Sequence, residues 1–316
     1  MSNNTTVTSV NSSEALIVAY YPFTLIIVGT LLNLLTFIIL CRPAFKDTKK
    51  QPIIHYMRTI AIFDILMLYG WNLDHYLQIV HGYILLTYSI PTCKIFGFLN
   101  YFASQSSAWL RVFICLDRYL SASRLHRTWF SHQKSVLIII TSIILFFMLF
   151  NLHFLIFTCF YRSNGSINPN SQLYKIYPLW DYINLGLYNC APFILMIIFN
   201  SGVIYHLIRH RHTRIIQNSR IQHRAISITL VLTTFLFLIM TIPATIVAAF
   251  FFTIPTTALA KILDSALYTY HITSFPLYFI TFGAFRRECI MMITGKNNTQ
   301  RIAPTLPTIA PSNIPN

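Results

Sequence analysis

The sequence predicts an all-α membrane protein, a bundle of seven transmembrane helices followed by a short amphipathic eighth helix. Two features of the composition favour this fold class. Hydrophobic residues make up 55% of the 316 residues and charged residues only 10%. A soluble domain carries about 25% charged residues, so this chain has too few charges to cover a water-facing surface. Its 15% aromatic content argues equally against a disordered chain.

The third feature is the presence of charge-poor stretches that are each long enough for a spanning helix, which needs about 20 apolar residues. These stretches are too long and too continuous for the roughly ten-residue alternating strands of a membrane barrel. The second and third stretches are the least apolar. We expect the helices, in order, at 17–40, 53–77, 94–120, 135–158, 182–208, 224–252 and 262–283.

Lysine and arginine are distributed unequally between the two ends of these helices. Of the 23 basic residues, 18 fall on the side of the carboxyl terminus, four fall on the other side, and Arg111 lies inside the third span. Basic loops stay in the cytoplasm, so we expect a multi-pass plasma-membrane protein with an extracellular amino terminus and a cytoplasmic carboxyl terminus. We divide the chain into an extracellular tail (1–15), a seven-helix domain (16–295) and a disordered, proline-containing cytoplasmic tail (296–316).

The net charge of +15 follows from this topology, so we expect the lipid bilayer, and no nucleic acid, as the partner of the basic loops. Sequons for asparagine glycosylation support the orientation, because four of them fall on the predicted outer side. We predict glycosylation at Asn3, Asn4, Asn11 and Asn164. A fifth sequon, at Asn297, falls on the cytoplasmic side and is expected to stay unmodified.

One motif closes the third span. Leu116-Asp117-Arg118-Tyr119 stands at its cytoplasmic end, and Cys93 opens the span 25 residues before Arg118. At 1.5 Å per residue this separation is about 37 Å, close to the thickness of a bilayer with its headgroups. In this position the motif resembles that of the rhodopsin-like (class A) G-protein-coupled receptors, and the invertebrate peptide-type and orphan receptors among them.

The resemblance covers roughly residues 16–295. It implies an extracellular ligand, a heterotrimeric G protein as cytoplasmic partner, and a switch made of Asp117, Arg118 and Tyr119. In the inactive state Asp117 would hold Arg118, which would contact the G protein in the active state. The alternative is a simple interfacial charge pair without a switching role.

Other residues resemble the family in the same order. Asn33, Asp64 and Ser107 match its polar core, and Phe285-Arg286-Arg287 matches the start of its eighth helix. The prolines of spans five, six and seven correspond to Pro192, Pro243 and Pro276. The resemblance also implies a disulfide from Cys93 to Cys159, with Cys190 as the other candidate partner.

The sequence departs from the family in spans five, six and seven. The span-six tryptophan is missing from Met240-Thr241-Ile242-Pro243, in which Phe237 keeps the place of the core phenylalanine. Span seven reads Phe275-Pro276-Leu277-Tyr278-Phe279, without the family's asparagine and tyrosine. Asn200 replaces the span-five tyrosine, and His223 replaces the acidic residue at the foot of span six. The family's tyrosine-mediated relay therefore lacks its residues here.

Arg111 is unusual because a charge at mid-membrane costs about 2.5–3.5 kcal/mol on insertion scales and needs a partner. Asp64 is the acid at comparable depth, and Ser107 lies on the same helix face, four residues before Arg111. We hypothesise that Arg111 pairs with Asp64 and takes the place of the family's sodium ion. The alternative is that Arg111 reaches down to the inner interface.

Two ligand classes are set aside by single residues. Thr269 stands where opsins carry the retinal lysine, and Asn100 stands where aminergic receptors carry an acid. Acids beside aromatic residues at the outer end suit a cationic, amidated neuropeptide, whereas an interface belt of tyrosine and tryptophan is the alternative interpretation. The ligand-binding candidates are Asp74, Asn100, Tyr101, Ser104, Asp181, Asp264 and Tyr268.

A small-molecule or odorant ligand is the second hypothesis. A transporter or channel is the alternative from a different class, for which Asp64 and Arg111 would be the polar residues near the midplane. The sequence carries no metalloprotease, phosphate-loop or serine-hydrolase motif, so we expect no enzyme, no cofactor and no metal site.

Overall fold

The structure is a computed structural model of the chain. It describes residues 12–45, 52–123, 132–171, 173, 176, 178–209, 217–251 and 258–295. The sequons at Asn3, Asn4 and Asn11 and the predicted tail at 296–316 lie outside the described residues.

Most described residues are helical. The helices are α1 (Ser12–Leu40), α2 (Ile53–Leu68), α3 (Trp71–His81), α4 (Leu85–Tyr88), α5 (Ile90–Ala122), α6 (Gln133–Phe150), α7 (Leu152–Phe157), α8 (Leu179–Asn184), α9 (Ala191–Arg209), α10 (Gln217–Phe250), α11 (Ala258–Tyr270), α12 (Ser274–Thr281) and α13 (Gly283–Thr294). A 3-10 turn (Pro43–Phe45) follows α1, and a π-helix (Leu185–Cys190) joins α8 to α9. Strands β1 (Thr158–Tyr161) and β2 (Ile167–Ser171) form an antiparallel hairpin.

Five helical segments within the described residues are long and apolar enough to cross a membrane. They are Tyr20–Leu40, Ile53–His81, Gln133–Phe157, Leu179–His206 and Ile228–Phe250. The 33-residue α5 has the length but a polar middle, and α11 and α12 are each too short by themselves. By length and composition, the chain is therefore a predominantly α-helical, multi-pass membrane protein.

The helices close into a ring around a polar interior. Helix α1 packs on α2 and α3, α2 on α5, α5 on α9, α9 on α10, and α10 on α11 and α12, which return to α1. Helix α6 packs on the outside of α5 and α2. Large apolar side chains such as Leu31, Leu149 and Ile239 are exposed, whereas Asp64 and Arg111 are buried. This inverted pattern suits a bundle surrounded by lipid, where polar groups face the interior.

Several helix ends follow from local sequence. Ser89 begins α5 with a capping box, because its hydroxyl accepts the Thr92 N–H while the Thr92 hydroxyl accepts the Ser89 N–H. Three predicted spans are interrupted: span two at Tyr69–Gly70, span four at Asn151, and span seven at residues 271–273. The first helix begins at Ser12, inside the predicted tail, and the eighth begins at Gly283 rather than Phe285.

Candidate functional site

Asp64 is the centre of a buried polar cluster between α2, α5, α11 and α12. Its Oδ1 accepts from the Ser107 hydroxyl at 2.9 Å and lies 2.8 Å from His271 Nδ1. Its Oδ2 accepts from Arg111 Nη2 at 2.7 Å and from the Ser274 hydroxyl at 3.3 Å. All five side chains are almost completely buried. A buried carboxylate is stable only when it is paired and hydrogen-bonded, and this one is both.

The expected contact between Arg111 and Asp64 is present in the structure. Arg111 Nη2 also lies 3.0 Å from Asp64 Oδ1, and Arg111 Nη1 donates to the Ser107 carbonyl and hydroxyl oxygens. The guanidinium carbon is 5.0 Å from the centre of the Tyr270 ring, within range of a cation–π contact. Arg111 therefore points into the core and does not reach down to an interface. Its relation to a sodium ion stays a prediction.

Sequence reasoning missed two members of this cluster, His271 and Ser274. The available signal was that two polar residues stand three apart just before Pro276, although the structure has a turn rather than a helix at residues 271–273. His271 is fixed from several directions: its Nε2 is 3.3 Å from the Tyr188 hydroxyl, and its carbonyl accepts from the Asn33 side chain at 3.0 Å. Asn33 thus joins the cluster through a hydrogen bond to the backbone of His271.

The Asp-Arg-Tyr motif lies at the opposite end of α5 from Cys93. Arg118 Nη2 and Nε donate to Asp117 Oδ2 at 2.5 and 3.1 Å, and both side chains are largely buried. The Tyr119 ring stacks on Phe199 of α9 with a centroid distance of 6.0 Å. Gly202, also on α9, lies directly under that ring. The motif is therefore held between α5 and α9, with its arginine engaged by its own aspartate.

A second polar connection links the π-helix to α10 next to Pro243. The Asn189 side chain donates to the Thr245 hydroxyl at 2.7 Å and accepts from the Thr241 hydroxyl at 2.8 Å. All three side chains are buried. About three helical turns nearer the Arg118 end, Asn200 of α9 donates to the Thr234 hydroxyl at 2.8 Å. Side-chain amides thus connect the fifth and sixth predicted spans.

The other end of α5 is covered by the hairpin of β1 and β2. Cys93 and Cys159 form a disulfide there, whereas Cys190 is free and exposed. Asn164 is exposed at the turn of this hairpin, where its Oδ1 accepts from the Ser166 N–H and hydroxyl at 3.1 and 2.7 Å. The disulfide joins the hairpin directly to the first turn of α5. The hairpin is thereby fixed over the end of the bundle.

A cavity of about 300 Å³ lies beneath this hairpin. Asp181 and Asp264, two of the predicted ligand-binding residues, line it. Trp71, Phe154 and Phe251 contribute aromatic walls that sequence reasoning did not single out as a set. The remaining lining residues are His75, Leu86, Cys93, Gly97, Thr158, Cys159, Pro169, Asn170, Ala244, Val247, Ala248 and Ala260.

The other five predicted ligand-binding residues are not in the lining of this cavity, and the structure gives them other contacts. Asp74 accepts from the Leu85 N–H at 2.5 Å and so fixes the segment between α3 and α4. The Ser104 hydroxyl donates to a carbonyl of its own helix, that of Tyr101. The Tyr268 hydroxyl donates to the Asn100 side chain at 3.4 Å.

Tyr101 lies just behind the cavity wall. Its ring stacks on Phe154 at 4.9 Å and meets Trp180 edge-on at 5.9 Å. Its hydroxyl donates to Asp181 Oδ1 at 3.4 Å. Tyr101 therefore positions a cavity residue. Within the described part of the chain, no group of three His, Cys, Asp or Glu side chains is arranged to hold a metal ion.

Comparison with known proteins does not assign this arrangement to a family: no protein-family model matches the chain, and no curated protein is significantly similar to it.

Proposed function

We propose that this chain is a rhodopsin-like G-protein-coupled receptor, with seven spans, an extracellular amino terminus and a cytoplasmic carboxyl terminus in the plasma membrane. The observation that carries the proposal is the arrangement of α5. At one end Cys93 is bonded to a hairpin over a cavity, and at the other end Asp117 holds Arg118. A ligand site and a charge switch at opposite ends of one helix are the parts that a transmembrane receptor needs.

The disulfide also supports the number of spans. Because Cys93 and Cys159 are bonded, the chain between them crosses the membrane an even number of times. The segment Gln133–Phe157 is one candidate crossing within that interval. The polar α5 would then be the second crossing, with its charges paired inside the bundle.

The seventh span would be α11 and α12 taken together. Each is too short, but Ala258–Thr281 is long enough for one crossing at 1.5 Å per residue. At the break between them, His271 contacts Asp64 and its carbonyl accepts from Asn33. A helix break that faced lipid would leave backbone polar groups without hydrogen-bond partners. Because these contacts supply such partners, they support a position of the break inside the bundle.

The mechanism that follows is a shift between two arrangements of the bundle. A ligand in the cavity binds one arrangement better and raises its population. The contacts of α5 with α9, and of α9 with α10, carry that difference to Arg118, which leaves Asp117 to contact the G protein. The Asp64 cluster is the core around which the helices would rearrange.

The experiment is a nucleotide-exchange assay with purified protein in nanodiscs and a panel of heterotrimeric G proteins. Wild-type protein is expected to accelerate exchange above empty nanodiscs, and Arg118→Ala is expected to abolish the acceleration. Arg42→Ala is the matched control, because Arg42 is paired with Glu288 at 2.9 Å and has no role in the switch. Equal exchange by wild type and Arg118→Ala would contradict the proposal.

A transporter or channel is the second candidate, favoured by the buried pair of Asp64 and Arg111. It predicts substrate or ion flux in liposomes that contain no G protein. Flux that disappears in Arg111→Leu, together with no nucleotide exchange from any G protein, would favour this candidate over the receptor.

A further inference from the structure

Asp181 differs from the other acids near the disulfide end of the bundle. Its side chain is buried, with 8% relative exposure, and it lines the cavity. Its Oδ1 accepts from the Tyr101 hydroxyl, but its Oδ2 has no hydrogen-bond partner among the described residues. A buried carboxylate oxygen without a donor is costly, so it is found where a ligand supplies the missing group.

Of the neighbouring acids, Asp74 is already engaged, because its carboxylate accepts the Leu85 N–H at 2.5 Å. Asp264 also lines the cavity and lies 3.8 Å from His75 Nε2, which is beyond hydrogen-bond distance, and its side chain is more exposed than that of Asp181. Asp181 makes no ion pair with any residue that the structure describes. The cavity wall therefore carries two carboxylates, of which Asp181 is the more deeply buried and has one oxygen without a hydrogen-bond donor among the described residues.

A second polar atom of the wall is also without a partner. Trp71 Nε1 is buried and, in the described part of the structure, no group accepts its hydrogen. Around these two atoms the wall is apolar, built by Phe154, Val247 and Phe251 among others. Such a site suits a ligand that has an apolar body, one cationic donor group and one acceptor atom.

The size of the cavity limits the ligand. A volume of about 300 Å³ is at the lower end of small-molecule sites, which range from about 300 to 1,000 Å³. Pro169 and Asn170 of the hairpin form part of the lining, and the disulfide fixes that hairpin in place. An extended peptide does not fit inside such a volume.

We infer that the cavity binds a compact organic cation, whose charged nitrogen donates to the Asp181 carboxylate while its apolar part packs against Phe154 and Phe251. An acceptor atom on the same molecule would take the Trp71 N–H. The inference rests on the proposed function and specifies its ligand class: a small amine in place of the amidated peptide.

The test uses purified full-length protein in nanodiscs and probes of known chemistry. The cationic probes are 2-phenylethylamine and 4-phenylbutylamine, and the neutral counterparts are 2-phenylethanol and 4-phenylbutanol. Saturable binding is measured through the shift of the thermal unfolding temperature with probe concentration. The cations are expected to bind more tightly than the alcohols of the same shape.

Asp181→Asn is expected to weaken binding of the cations by roughly ten- to hundred-fold, which is the range of a charge-assisted hydrogen bond. The affinity for the alcohols is expected to stay unchanged. Asp74→Asn removes the same charge from a carboxylate outside the cavity and is expected to keep wild-type affinity. Ala248→Phe fills the cavity without touching a charge and is expected to abolish binding of every probe. It provides the test if Asp181→Asn does not fold.

Two results would overturn the inference: cation affinities that are equal in wild type and Asp181→Asn, or folded wild-type protein that binds none of the cations. The nucleotide-exchange assay tests the receptor proposal independently of the cation site. Asp181-dependent binding of amines without any G-protein response would contradict the receptor proposal and support the cation site. Arg118-dependent nucleotide exchange by a protein that binds no amine would contradict the cation site and support the receptor proposal.

Discussion

Arg111→Leu tests whether the buried pair of Arg111 and Asp64 acts as one unit. The substitution removes two contacts to the Asp64 carboxylate, at 2.7 and 3.0 Å, and leaves that charge buried. Removing one partner of a buried pair costs about 3–5 kcal/mol. We expect the lower part of this range, because Ser107, His271 and Ser274 still contact the carboxylate.

Asp64→Asn makes the converse change. It leaves the Arg111 guanidinium buried without its negatively charged partner, in contact with the face of Tyr270 and the oxygens of Ser107. We expect a loss of about 3–5 kcal/mol here as well. The double variant Asp64→Asn/Arg111→Leu leaves no buried charge and is expected to lie within about 2 kcal/mol of wild type, because replacing both members of a buried pair is often close to neutral.

The assay is reversible unfolding in mixed micelles with dodecyl sulfate as denaturant, followed by circular dichroism. The quantity measured is the coupling free energy of the double-mutant cycle, which we expect to be several kcal/mol. If the two single losses instead add up in the double variant, Asp64 and Arg111 are not coupled and the reasoning fails.

The same variants test the relation to sodium. In Arg111→Leu, the Asp64 carboxylate faces the hydroxyls of Ser107 and Ser274, a set of oxygen atoms suited to a hard cation. Sodium chloride is expected to raise the unfolding temperature of Arg111→Leu above its value in choline chloride at the same ionic strength. Wild type and the double variant are expected to respond equally to both salts. Equal responses by Arg111→Leu would show that the guanidinium does not stand in for sodium.

Three further predictions concern single contacts. Cys93→Ser opens a bond that closes a sequence separation of 66 residues and is expected to cost about 2–4 kcal/mol in thermal unfolding, whereas Cys190→Ser, at a free exposed cysteine, should be neutral. In a protein whose amino-terminal sequons are removed, Asn164→Gln is expected to abolish the remaining glycosidase-sensitive mass shift on a gel; an unmodified Asn164 would argue against an outer hairpin. Gly202→Ala places a methyl group 2.5 Å from the Tyr119 ring. It is expected to lower the free energy of unfolding by about 1–3 kcal/mol and to change G-protein coupling. An unchanged unfolding temperature would contradict that packing.

Composition and the order of residues along the chain were sufficient for several features. Low charge and long apolar runs indicate helices in lipid because lipid offers the backbone no hydrogen-bond partners. The contact of Arg111 with Asp64 could be anticipated for a similar reason: an isolated charge in such an interior needs an opposite one, and Asp64 was the acid at that depth. Depth can be counted along a helix from the sequence alone.

The tertiary structure decided what depends on which side chains face each other. His271 and Ser274 belong to the Asp64 cluster because the break between α11 and α12 turns that segment inward, and a hydropathy pattern does not locate the break. Asp74 and Asp181 look alike in the sequence, as acids near the same end of the bundle. One accepts a backbone N–H of its own loop, and the other lines a cavity and has an oxygen without a hydrogen-bond partner among the described residues. That difference arises from packing between distant segments, so it is absent from local sequence and present only in the folded chain.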